Sequence, residues 1–139
     1  MAIKNVFEET TALKAQIENL SVDELQRELE DDGALLLVDL REIQEVVDLG
    51  SIPGAKHVPR GMLEFWADPA SPYFRDYFEE DKRIVVFCAG GGRSVYATLA
   101  LQAMGYADVA HLEVGFNGWQ KSGAAVEDVS ATSKWVRRR

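Results

Sequence analysis

Two short runs of uninterrupted apolar residues constrain the fold of this chain more than any other feature. The runs are Leu35-Leu36-Leu37-Val38 and Ile84-Val85-Val86-Phe87. A strand covered on one face alternates apolar and polar residues, whereas a strand buried on both faces is apolar throughout. Both runs are therefore predicted to be central strands of a sheet that has helices packed against each face.

Helical patterns alternate with the strand patterns along the chain. Shorter strand candidates lie at residues 55–58 and 109–112, and helix candidates follow the strands at residues 42–49, 61–66 with 73–78, 94–104 and 115–121. This βαβα order predicts an α/β fold with a mainly parallel sheet of about five strands and helices on both faces.

The two ends of the chain flank this central unit. Apolar residues recur at helical spacing in segment 1–20, which predicts an amphipathic N-terminal helix; they are Ile3, Val6, Phe7, Leu13, Ile17 and Leu20. Ser21 and Glu24 form a capping-box pattern that is typical of a helix start and predicts a second helix to about Glu30. The domain is predicted over residues 21–124, followed by a tail, 125–139, with a basic end at Lys134, Arg137, Arg138 and Arg139.

Charge and length exclude several classes of function. The chain has 139 residues, enough for one domain, and its net charge of −8 repels phosphate backbones and anionic lipid head groups. We therefore expect no nucleic acid and no membrane partner. No stretch approaches the ~20 apolar residues of a membrane span, and the charged N-terminus does not resemble a secretory signal. The predicted location is cytoplasmic.

The loops that follow parallel strands meet at one edge of the sheet, where ligands bind in α/β folds. Four such loops are predicted, and one of them, Cys88-Ala89-Gly90-Gly91-Gly92-Arg93-Ser94, contains the only cysteine of the chain. Glycines let the backbone curl and aim its N–H groups at a common centre. Together with a helix N-terminus and the Arg93 guanidinium, they favour a negative charge there, so Cys88 is expected to ionise to a thiolate readily.

A free cysteine at the end of a strand is most often a small buried apolar residue. Three consecutive glycines followed by Arg93 and Ser94 favour a reactive thiol instead, because an inert turn does not require them. A single cysteine also excludes a disulfide framework and a site with several cysteine ligands for a metal. His57 and His111 lack metal-ligand spacing and are expected to be packed or hydrogen-bonded residues.

The Cys88–Ser94 loop resembles the active-site loop of single-domain rhodanese-like sulfurtransferases, which runs Cys, four residues, Arg, then Ser or Thr. Val38-Asp39-Leu40-Arg41-Glu42 resembles the first strand of that family with its Asp-x-Arg signature. Gly50-Ser51-Ile52-Pro53-Gly54-Ala55 resembles its Gly-His-Ile-Pro-Gly-Ala turn, and the segment from Glu113 to Trp119 resembles its Gly-Gly-x-x-x-Trp closing segment. Ser51 and Val114 depart from the pattern.

The resemblance implies a transfer of sulfane sulfur from a small anionic donor such as thiosulfate to a thiophilic acceptor, cyanide or a thiol, through a Cys88 persulfide. A protein thiol is a further candidate acceptor. Cys88 is then the catalytic residue, and the residues expected to bind substrate are Ala89, Gly90, Gly91, Gly92, Arg93 and Ser94. Arg60 is added from topology alone, because it follows a strand of the same sheet. Asp39 and Arg41 are expected to form a supporting ion pair, and no cofactor or metal is expected.

Two other functions remain open at the level of sequence. Cys-dependent phosphatases of the tyrosine-phosphatase type also hold an anion between a cysteine and an arginine, but their arginine lies six positions after the cysteine, whereas Arg93 lies five after Cys88. The shorter loop favours a sulfur atom over a tetrahedral phosphate. A non-catalytic persulfide carrier would need the same loop.

Overall fold

The computed structural model describes residues 2–130 of the protein. The strands are β1 (Glu18–Leu20), β2 (Leu36–Asp39), β3 (Lys56–His57), β4 (Ile84–Phe87) and β5 (Val109–Leu112). The α-helices are α1 (Val6–Leu13), α2 (Val22–Asp31), α3 (Ile43–Leu49), α4 (Leu63–Ala67), α5 (Arg93–Met104) and α6 (Gly115–Lys121). The basic residues of the tail lie outside the described residues.

All neighbouring strands pair in parallel, in the order β1-β5-β4-β2-β3. The apolar runs explain why both faces are covered. In β4, Ile84 and Val86 belong to one core cluster and Val85 and Phe87 to the other, because successive side chains of a strand point to opposite faces. Residues of α4 and α5 pack in the first cluster and residues of α2 and α6 in the second. The predicted α/β class with a parallel five-stranded sheet is confirmed.

The predicted N-terminal helix through Leu20 is wrong in its extent. α1 ends at Leu13, a 3₁₀ turn follows at Lys14–Gln16, and Ile17 is already extended with φ −131° and ψ 164°. β1 then pairs with β5 and buries Leu20. Pairing with a distant strand prevails here over the helical spacing of the apolar residues.

The helix predicted at residues 73–78 is also wrong. The segment consists of turns, in which the Phe78 amide donates to the Arg75 carbonyl at 3.1 Å and the Arg75 amide donates to the Trp66 carbonyl at 2.8 Å. From these turns, Phe78 joins the core cluster and Tyr77 packs against it. The helix predicted at residues 61–66 is a 3₁₀ turn at Arg60–Met62 followed by α4.

Candidate active site

Cys88 follows β4 directly and lies at the N-terminal end of α5. It is 1% exposed, and its Sγ accepts a hydrogen bond from the Gly91 amide, with N and Sγ 3.2 Å apart. Gly91 adopts φ +100°, and a Cβ atom there would lie 2.2 Å from the Glu113 carbonyl oxygen. The loop can therefore turn its amide toward the sulfur only with glycine at this position.

The start of α6 holds the backbone of the loop from the other side. The Phe116 amide donates to the Cys88 carbonyl at 2.8 Å, and the Asn117 amide donates to the Ala89 carbonyl at 3.0 Å. Gly115 has φ +65°, and a Cβ atom there would lie 2.4 Å from the Ala89 carbonyl oxygen. The glycine shared with the family pattern thus allows α6 to approach the loop closely.

Val114, which stands where the family pattern has the first glycine of its closing pair, is accommodated by a neighbour in α6. A Cβ atom added to Gly118 would lie 2.3 Å from the Val114 side chain. A glycine one turn further along therefore leaves room for the larger side chain, and the close contact of α6 with the Cys88 loop is kept.

A pocket of about 450 Å³ lies against the Cys88 loop. Its residues from the loop and α5 are Cys88, Gly90, Gly91, Gly92, Arg93 and Tyr96. The N-terminal segment contributes Val6, Phe7, Thr10, Thr11 and Lys14. The Tyr96 hydroxyl donates to Glu9, which ties α1 to α5 beside the pocket. The sequence predicted an N-terminal amphipathic helix but not its position over the thiol.

Arg93 lines this pocket and pairs with a carboxylate that sequence reasoning missed. Its two terminal nitrogens, Nη1 and Nη2, donate to the two carboxylate oxygens of Glu45 at 2.8 and 2.9 Å. These hydrogen bonds lower the pKa of Glu45 to about 2. Glu45 also accepts from the Glu42 amide at the start of α3, and this return bond across three residues is the local signal that could have drawn attention to it.

Asp39 and Arg41 form an ion pair below the loop. Arg41 Nε and Nη2 donate to the two Asp39 oxygens at 3.0 and 2.8 Å, and both side chains are buried. The Arg41 guanidinium carbon lies 4.1 Å from the centre of the Phe116 ring, in the helix that holds the loop. Ser51, which departs from the family pattern, donates to Asp39 at 2.7 Å. The pair contacts the support of the loop rather than the pocket.

The structure separates Arg60 from the other predicted site residues. Arg60 follows β3, and β2 lies between β3 and β4, which places the strand ends roughly 10 Å apart. Its guanidinium pairs with Glu64 at 2.7 Å, and the described lining of the Cys88 pocket does not include it. The sequence correctly placed Arg60 at the carboxyl ends of the strands. It did not indicate the strand order, which sets the distance between Arg60 and Cys88.

Ser94 is fully buried and lies behind Cys88. Its Oγ is 3.6 Å from the Cys88 Sγ and 2.8 Å from Nδ1 of His111 in β5. Nε2 of His111 is 2.7 Å from Oδ1 of Asn19 in β1. The expectation that His111 is a hydrogen-bonded residue is confirmed, and Asn19 is a neighbour that the sequence did not indicate.

The parallel sheet, the cysteine at the end of its central strand and the short loop to Arg93 define the class of protein. The chain belongs to the rhodanese-like domain family, whose model matches residues 21–122. Within residues 2–130, no helix combines the length and apolar character that a membrane crossing requires.

Named relatives agree with this family. A sulfurtransferase of Allochromatium vinosum is 27% identical over 79% of this chain and 94% of its own length. The human thiosulfate:glutathione sulfurtransferase is 29% identical over 72% of this chain and 90% of its own. A Rhodopseudomonas palustris structure, described as a protein of unknown function and possible tyrosine phosphatase, superposes with a TM-score of 0.83 at 38% identity and covers 91% of this chain and 97% of its own.

Proposed function

We propose that the protein is a sulfurtransferase that carries sulfane sulfur on Cys88. The observation that carries the proposal is the position of Cys88 at the N-terminal end of α5. The residue lines a pocket, and its Sγ accepts a hydrogen bond from the Gly91 amide. A backbone N–H and a helix N-terminus both favour negative charge on sulfur, as the attacking thiolate and the resulting persulfide require.

The reaction has two displacement steps. The Cys88 thiolate attacks the outer sulfur of thiosulfate, a bond forms between Sγ and that sulfur, and the S–S bond of thiosulfate breaks with its electron pair leaving on sulfite. An acceptor nucleophile then attacks the outer sulfur of the persulfide, and the electron pair returns to Cys88 as a thiolate. Neither displacement needs a general acid or base when both nucleophiles are anions. Cyanide meets this condition directly, and a thiol acceptor first releases its S–H proton to water and attacks as the thiolate.

The size of the pocket favours an organic thiol as the acceptor over cyanide. Its volume of about 450 Å³ falls within the range of sites for small organic ligands. Phe7 and Tyr96 offer apolar and aromatic surface, and Lys14 offers a cation for an acidic group. The name of the human relative, a thiosulfate:glutathione sulfurtransferase, supports thiosulfate as the donor and an organic thiol as the acceptor.

A phosphatase is the second candidate, because the Rhodopseudomonas palustris structure is described as a possible tyrosine phosphatase. Two features argue against that activity. Arg93 lies five positions after Cys88, one fewer than in those phosphatases. Both of its terminal nitrogens also donate to Glu45, so this pair of N–H groups is not free to bind a phosphate. The ranking of the two activities is directly measurable.

The test compares wild type with Cys88→Ser. Wild type should transfer sulfur from thiosulfate to cyanide and to glutathione, and should gain one reducible sulfur atom by mass spectrometry after thiosulfate alone. Cys88→Ser should lose both properties and keep its circular dichroism spectrum, because a serine hydroxyl does not ionise near neutral pH. Sulfur transfer by Cys88→Ser would overturn the proposal.

Two further outcomes decide between the alternatives. A protein that loads one sulfur but does not turn over with either acceptor is a carrier and not an enzyme. A kcat/KM for an aryl phosphate above that for thiosulfate would favour the phosphatase. Inserting one residue between Gly92 and Arg93 should lower sulfur transfer, because it lengthens the loop around the sulfur.

A further inference from the structure

Four side chains behind the thiol form a hydrogen-bonded chain in the order Cys88, Ser94, His111, Asn19. The successive distances are 3.6, 2.8 and 2.7 Å, and Ser94 and His111 are fully buried. Asn19 and His111 are register partners of the parallel pair β1·β5, so the sheet itself sets their contact. Asn19 lies outside the residues that the family model matches.

The orientation of the Asn19 side-chain amide determines which atom donates in each hydrogen bond of this chain. The Asn19 Nδ2 donates to the Lys14 carbonyl at 2.9 Å and to the Ile17 carbonyl at 3.1 Å, so its Oδ1 faces His111. An amide oxygen only accepts, which requires His111 Nε2 to carry a proton. Burial, aided by the nearby Lys14 ammonium, lowers the pKa of His111 to about 4, so the ring is neutral and its Nδ1 accepts.

The remaining donor for His111 Nδ1 is the Ser94 hydroxyl. A serine has one hydroxyl proton, and once it is donated to His111 only lone pairs of Oγ face Cys88. A thiol at Cys88 can donate its S–H to these lone pairs. A thiolate at Cys88 would face the Ser94 lone pairs with no proton to form a hydrogen bond. Alternatively, it would accept the Ser94 proton and leave the buried Nδ1 of His111 without a donor.

We propose that Ser94, oriented by His111 and Asn19, restrains ionisation of Cys88 and favours the states in which its Sγ is uncharged. Ionisation breaks the S–H bond, releases the proton to water and costs one hydrogen bond in the chain. In a persulfide the inner sulfur is neutral and the charge resides on the outer sulfur. The chain would then favour the sulfur-loaded form over the empty thiolate, a consequence that rests on the proposed function.

This restraint opposes the other influences on Cys88. The Gly91 amide and the N-terminal end of α5 favour the thiolate, and so does Arg93, whose charge is offset by Glu45. On the side of His111, the charged neighbour is Lys14, whose ammonium lies 3.9 Å from Glu113. Ser94 touches the reacting sulfur, whereas His111 and Asn19 are positioning residues.

The test is the rate of iodoacetamide alkylation as a function of pH, without any sulfur donor. Cys88 is the only cysteine, so the label reports on it alone. His111→Leu frees the Ser94 proton to donate to the thiolate, and the rate at neutral pH should rise about tenfold, the effect of one hydrogen bond to a charged acceptor. In a Ser94→Ala background the same substitution should change the rate less than about twofold.

Two further variants keep the test decisive if His111→Leu folds poorly. Asn19→Leu keeps a similar volume and removes the acceptor for His111 Nε2, which favours the His111 tautomer protonated at Nδ1. Ser94 then accepts from His111 and turns its own proton to Cys88. Its alkylation should also accelerate. Thr98→Val removes another buried hydroxyl of α5, one that donates to the Ser94 carbonyl at 2.8 Å, and should leave the rate unchanged.

The possible results separate cleanly. Slower alkylation in His111→Leu would make His111 an acceptor for the thiol proton and would overturn the proposal. An equal acceleration with and without Ser94 would show that His111 acts by another route and would also overturn it. Because no donor is present, these results stand whether or not Cys88→Ser abolishes sulfur transfer.

Discussion

Two arginine–carboxylate pairs lie near the Cys88 loop, each held by two hydrogen bonds of 2.8–3.0 Å, and their surroundings differ. Asp39 and Arg41 are 1% and 0% exposed and lie below the loop. Glu45 and Arg93 are 30% and 38% exposed, and Arg93 lines the pocket. Breaking a buried pair leaves a charge in a medium that cannot solvate it, while water replaces the partner in an exposed pair. Burial therefore assigns the first pair to stability and the second to the electrostatics of the pocket.

Removing the cation of the buried pair should have the largest effect. Arg41→Met leaves the Asp39 carboxylate and the Gly50 carbonyl without this donor, and we expect a loss of about 3–5 kcal/mol in the free energy of unfolding, measured by urea denaturation. The matched control is Arg41→Met with Asp39→Asn, which leaves no buried charge and should lose clearly less. Equal losses in the two proteins would contradict this account of the pair.

The Glu45–Arg93 pair should make a modest, pH-dependent contribution to the free energy of unfolding. The pKa of Glu45 in the folded protein is about 2, below the ordinary value of 4.5, so its contribution is present above pH 4.5 and is lost as the pH falls toward 2. Comparing the unfolding of wild type and Glu45→Gln should show a difference of about 1 kcal/mol at pH 7, because solvent screens a half-exposed pair. The difference should shrink by pH 3, and a difference independent of pH would exclude this origin.

The smallest effect concerns the pocket. Glu45→Gln leaves the charge of Arg93 uncompensated beside Cys88, which should lower KM for thiosulfate about two- to fivefold at low salt while kcat changes little. The matched control is Glu64→Gln, which frees Arg60 from a similar pair two strands away. An equal fall in KM for Glu64→Gln would mean that Arg60 acts on the donor, as the sequence alone suggested.

Patterns of a few residues predicted several local contacts near the candidate site. The capping box at Ser21 is present, with the Glu24 amide donating to Ser21 Oγ at 3.1 Å and Glu24 accepting from the Ser21 amide at 3.0 Å. The order of cysteine, glycines and arginine indicated an anion-binding loop because its geometry depends on backbone freedom within seven consecutive residues. The expected Asp39–Arg41 pair also forms between residues two positions apart.

Contacts between residues far apart in the chain could not be predicted from such local patterns. Asn19 meets His111 because β1 joins the sheet edge beside β5, and the helical spacing of segment 1–20 concealed that strand. Glu45 reaches Arg93 because α3 lies beside the start of α5 in the folded chain, 48 positions away in sequence. A local pattern marks Glu45 only as a capping residue of α3. No local pattern indicates that Glu45 meets Arg93 or that Asn19 meets His111.

The sequence by itself determined a parallel sheet covered on both faces, the position of the only cysteine at the end of a central strand and the glycines that shape its loop, because each depends on local backbone period and conformational freedom. Strand order and register, which arise only when the whole core packs, decided the rest. They separated Arg60 from Cys88, set His111 and Asn19 behind the thiol through Ser94, and placed α1 beside the pocket.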